Sequence, residues 1–155
     1  MGILFKKLAA FVLVLIAAIW TVTVSADEKI NYALQTDKQY VARIALHTPE
    51  EVQTVLERAE KLVGDSIGQQ KFEPIAVVLH GPEVEIFRTK NYKLYKPIVD
   101  LAARLDAFNV VDIKVCELRM KAEGVAHGDL PAFVDTVPDG QAEVRRLEED
   151  GYVYF

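Results

Sequence analysis

The sequence predicts an α/β fold, a three-layer sandwich in which helices cover both faces of a mainly parallel sheet. Three observations carry this. Short β-rich apolar runs alternate with amphipathic helical stretches, the pattern that builds right-handed strand–helix–strand crossovers. One run, "PIAVVLH" at residues 74–80, is apolar almost throughout, as a strand covered on both faces must be. The chain also lacks any repeat, low-complexity tract or long linker that would divide it.

The first residues, "MGILFKKLAAFVLVLIAAIWTVTVSA", have the three-part form of an export signal: Lys6 and Lys7, an apolar core from Leu8 to Val22, and the small-residue site Val24-Ser25-Ala26. Cleavage is expected after Ala26, the alternative being an uncleaved amino-terminal anchor. The apolar run is short for a membrane span once Thr21, Thr23 and Ser25 count as its polar end. A periplasmic or secreted protein with no membrane attachment after cleavage is therefore expected. A lipoprotein would need a cysteine at the cleavage point, and the sole cysteine is Cys116. Residues 27–39 read as a polar, flexible lead-in, and residues 40–155 as one domain.

Within that domain "YVARIAL", residues 40–46, predicts the first strand. A helix follows in "HTPEEVQTVLERAEKLVG", with Thr48 as N-cap, Pro49 at its first position, Glu51 placed for a capping box and Gly64 at its stop. Residues 74–80 form the second strand, and "HGPEVEIF" is a turn. The spacing of Ile98, Leu101, Ala102, Leu105 and Phe108 predicts a helix from about Tyr95 to Phe108, with Pro97 in its first turn. "VVDIKVC", residues 110–116, is a third strand whose Asp112 and Lys114 side is expected to be partly open to solvent or to another subunit. "ELRMKAEG" is a short helix stopped by Gly124, "AFVDTV" a short strand, "PDGQAEVRRLEEDG" a further helix and "YVYF" a last strand.

Charge excludes one class of partner. Without Lys6 and Lys7 the formal net charge moves from −5 to −7, and charges of both signs are scattered along helices. A duplex nucleic-acid binder shows the opposite balance on one face. A single cysteine also rules out an internal disulfide and a Cys-x-x-Cys dithiol cycle.

Sites in open parallel sheets form at the carboxyl ends of the strands. His47, His80 and Cys116 end the first three strands, so neighbouring strands about 5 Å apart bring them to one edge. Cys116 also precedes a helix, whose free amides and dipole favour a thiolate. Two readings of Cys116 stand: a reactive thiol, or a small buried side chain. His80 in "HGP" is either a turn-capping residue or a neighbour that assists the thiol, and His47 doubles as a helix entry. His127 reads as a surface-loop residue. Two imidazoles and a thiolate are ligand types for zinc or copper, but the tight spacing of a metal site is missing, so neither metal nor cofactor is expected.

Three segments, "AVVLHGPEVEIF", "VVDIKVCELRMKAEG" and "VDTVPDGQAEVRRLEEDGYVYF", resemble the DsrE/DsrF/YchN-like family in order and spacing, specifically its exported branch. The likeness spans roughly Tyr40 to Phe155. It implies a five-stranded, mainly parallel α/β/α domain that assembles into trimers or larger rings. It also implies that a cysteine after the third or fourth strand carries sulfur as a persulfide and exchanges it with a donor or acceptor protein. That role lands on Cys116, with His80, Gly81 and Pro82 lining the same pocket.

Overall fold

The computed structural model describes residues 38–64 and 73–155. The export signal and nearly all of the lead-in lie outside the described residues. Among those described, no helix is long and apolar enough to cross a membrane.

Five strands form one all-parallel sheet in the order β4-β3-β2-β1-β5: β1 (Tyr40–Val41), β2 (Ile75–Leu79), β3 (Val111–Cys116), β4 (Val134–Val137) and β5 (Val153–Tyr154). Four helices connect them: α1 (Pro49–Gly64), α2 (Tyr92–Ala107), α3 (Glu117–Glu123) and α4 (Gly140–Glu149). A 3₁₀ helix, Pro82–Phe87, follows β2. The fold class is the α/β class that the alternation of segments predicts.

The pleat sorts the strand residues between two cores. Ile75, Val77 and Leu79 of β2, with Val111, Ile113 and Val115 of β3, join Val52, Leu56, Ala59, Leu101, Ala102 and Leu105 beneath α1 and α2. Met120 of α3 packs into that same layer. Their opposite-facing neighbours Ala76 and Val78 meet Val41 and Leu147 of α4 in a much smaller second layer. Topology explains this division. The chain steps from β1 to β4 in one direction, then crosses back past β1 to reach β5. A right-handed crossover in the reverse direction must carry its helix on the opposite face, and among the described residues α4 covers that side.

Three elements depart from the sequence expectation. The first strand reaches only to Val41, because the backbone amides of Ala45, Leu46 and His47 are spent on the Glu51 carboxylate at 2.8, 2.8 and 2.9 Å instead of a ladder. The Thr48 hydroxyl does accept the Glu51 amide at 3.2 Å, so half of the expected capping box forms. Helix α2 starts at Tyr92, earlier than expected, and bends at Tyr95, whose φ of −108° and ψ of 18° are non-helical. Pro97 accounts for the bend, since it donates no amide and its ring crowds the preceding turn. The "HGPEVEIF" turn is itself ordered as the 3₁₀ helix, with Glu83, Val84, Ile86 and Phe87 buried.

Candidate functional site at the carboxyl edge of the sheet

The loops leaving β1, β2 and β3 run to the α1/α2 face, whereas the loop leaving β4 runs to α4 on the other face. Adjacent strands whose connections diverge leave a crevice at their carboxyl ends, the usual binding position of such sheets. Cys116, the last residue of β3, stands at that divergence and pairs in register with Val137 of β4.

Cys116 is the N-cap residue of α3, is unbridged and is 4 % exposed. Parity of the pleat places it and His80 on the α4 side, with Ala76 and Val78. Gly140, the first residue of α4, closes over both: a Cβ there would lie 2.6 Å from the His80 Cβ and 3.0 Å from the Cys116 Cβ. Only a glycine lets the helix approach this closely. Its N-cap, Asp139, accepts the amides of Gln141 and Ala142 at 2.9 and 3.1 Å. The Glu117 carboxylate beside Cys116 accepts the Thr136 hydroxyl at 2.9 Å, which ties it to β4.

His80 follows β2, and its ring meets that of His47 edge to face, with centroids 4.8 Å apart. Burial lowers the His80 pKa below the ordinary imidazole value, and the nearby His47 lowers it further against the upward pull of Glu83. His80 is thus neutral near pH 7. Its carbonyl accepts Arg119 Nε from α3 at 3.4 Å, a link between β2 and the helix that Cys116 caps.

His47 holds a left-handed backbone with φ of 54°. For a residue other than glycine that conformation costs about 1–2 kcal/mol, and the Glu51 contacts to its own and the two preceding amides maintain it. Its Nδ1 lies 3.0 Å from Glu83 Oε2.

Glu83 was absent from the sequence-based candidates. At 1 % exposure it is the buried charged residue among those described, and its carboxylate is fully engaged. Oε1 accepts the amides of His80 and Gly81, both at 2.8 Å, while Oε2 faces His47. Gly81 makes room for this: a Cβ there would stand 2.5 Å from both Glu83 Oε2 and His47 Nδ1. Pro82 begins the 3₁₀ helix on the exposed side. One signal for Glu83 was readable, a carboxylate three residues after a histidine at a strand end, where it reaches back to free amides as an N-terminal cap does.

The structure therefore gathers His47, His80, Gly81 and Cys116 at one edge and adds Glu83. His127 is exposed, with Nε2 3.9 Å from Oε1 of Glu117. Among the described residues no group of three or more His, Cys, Asp or Glu side chains is arranged to hold a metal ion. An open apolar groove of about 410 Å³ lined by Phe87, Tyr92, Val99, Pro131 and Phe133 includes none of the edge residues.

No family model and no curated protein matches the chain. Among solved structures it is similar to MTH1491 from Methanobacterium thermoautotrophicum, a protein of unknown function, with a TM-score of 0.60 and 21 % identity. The match covers 77 % of this chain and 98 % of that one. The two share the fold.

Proposed function

We propose that this chain is an exported, DsrE-like sulfur carrier that holds a sulfane sulfur on Cys116, acts as a homo-oligomer of three or more copies and exchanges sulfur with a donor or acceptor protein. The observation that supports this reading best is the position of Cys116, at the carboxyl end of β3 where the β3 and β4 connections diverge, capping a helix and sharing the Gly140 contact with His80. In loading, the Cys116 thiolate attacks the outer sulfur of a donor persulfide. A new S–S bond forms to Sγ, the donor's S–S bond breaks, and its electron pair leaves on the donor thiolate. No external oxidant enters.

Intact mass after treatment with a sulfane donor tests this directly. The wild type is expected to gain one sulfur atom and Cys116→Ser none; equal gain in both, or none in the wild type, ends the proposal. A second reading, an oligomeric ligand-binding module with an inert thiol, draws on the 4 % exposure of Cys116. A thiol of that kind is alkylated only on unfolding, whereas a carrier thiol is alkylated in the native protein.

A further inference from the structure

Glu83 poses a chemical question that the cysteine does not answer. A buried carboxylate is costly unless every lone pair has a donor, and here two donors are the backbone amides of His80 and Gly81. Those amides can only donate, so they demand an acceptor at the Oε1 position. The second oxygen then faces His47 Nδ1 at 3.0 Å. An ionised carboxylate accepts and does not donate, so Nδ1 must carry the imidazole proton. In the neutral imidazole Nε2 then keeps its lone pair, on a side chain that is 27 % exposed. The strained φ of His47 and the absence of a Cβ at Gly81 serve the same contact. Strain, a buried carboxylate and a partly exposed imidazole converge on one hydrogen bond, the combination in which backbone strain points to function.

We infer that Glu83 is a positioning residue that fixes His47 in its Nδ1–H tautomer, so that His47 Nε2 is the proton acceptor for a thiol arriving from solvent. This deepens the sulfur-carrier reading and rests on it for the reaction served. In unloading, the acceptor's S–H proton passes to His47 Nε2, and the resulting thiolate attacks the outer sulfur of the Cys116 persulfide. The S–S bond to Sγ breaks, and its electron pair returns to Cys116 as thiolate. His80 meets the His47 ring edge to face at that edge.

Glu83→Gln is the informative substitution. The two backbone amides still require an oxygen, so the glutamine amide nitrogen turns toward His47 and donates to Nδ1, which drives the proton to Nε2. Imidazole ¹⁵N NMR is expected to show His47 protonated at Nδ1 in the wild type and at Nε2 in Glu83→Gln. Carbethoxylation of His47 by diethyl pyrocarbonate, and sulfur transfer from loaded protein to a small thiol, are each expected to slow about tenfold or more, as happens where a histidine is held in the wrong tautomer. An Nε2–H tautomer in the wild type, or transfer at the wild-type rate in Glu83→Gln, overturns the inference. If Glu83→Gln does not fold, His47→Asn decides: asparagine accepts the left-handed backbone, and undiminished transfer overturns the role. A wild type that never takes up sulfur refutes the carrier reading, while the tautomer and carbethoxylation readouts still judge the Glu83–His47 pair.

Discussion

At the residue scale the edge combines one thiol and two imidazoles that were legible as strand-end residues with one carboxylate that the sequence reading missed. His47, His80 and Cys116 could be placed together because parallel strands bring their carboxyl ends into line. Glu83 escaped because an acid in a Gly-Pro turn reads as solvated, and nothing in "HGPEVEIF" announces that the turn winds into a buried 3₁₀ helix. One consequence concerns acid stability. His80 has a folded-state pKa below its unfolded value near 6.5, so the unfolded chain binds more protons between the two. Its stabilising contribution is complete above that unfolded value and is lost as pH falls through the folded-state pKa. Urea midpoints measured from pH 7.5 down to 5 should fall more steeply in the wild type than in His80→Asn; parallel curves would refute it.

At the element scale, helix α1 was readable in detail from its caps and its apolar stripe, while the strand before it was read too long. The β propensity of residues 42–46 is real, but the consecutive amides of Ala45, Leu46 and His47 bond to the Glu51 carboxylate and leave the ladder. Propensity cannot anticipate a side chain that claims the backbone from further along the chain. Glu51 is therefore more than a helix cap. Glu51→Ala is expected to destabilise the domain by about 2–3 kcal/mol, the upper range for hydrogen bonds to a charged group. Thr48→Ala should cost about 1 kcal/mol. Chemical denaturation of the two variants checks the order, and a smaller effect for Glu51→Ala would contradict it.

At the scale of the whole molecule, the class and its layers followed from the alternation of segments, whereas the imbalance of the layers did not. Strand order decides it: three connections lie on one face and one on the other, and no local pattern encodes which neighbour β5 will choose. The thinner layer, held by Leu147 against Val41, Ala76 and Val78, is the one that covers Cys116 and His80. Leu147→Ala should cost about 2–5 kcal/mol. It should also speed native-state alkylation of Cys116, because opening of α4 exposes the thiol without unfolding β2 and β3. Alkylation at an unchanged rate in a destabilised variant would show that access to the thiol does not depend on α4.

The pairing of β5 with β1 has a temporal consequence. Val153 donates its amide to the Gln39 carbonyl and Phe155 to that of Val41, so the first strand of the sheet waits for the last. A chain emerging amino end first holds β1 with an unfilled edge until Val153 has appeared, and closure of that contact spans nearly the whole domain. Long-range parallel pairing of this kind slows folding, and it leaves the β1 edge unpaired until the last strand of the domain has emerged.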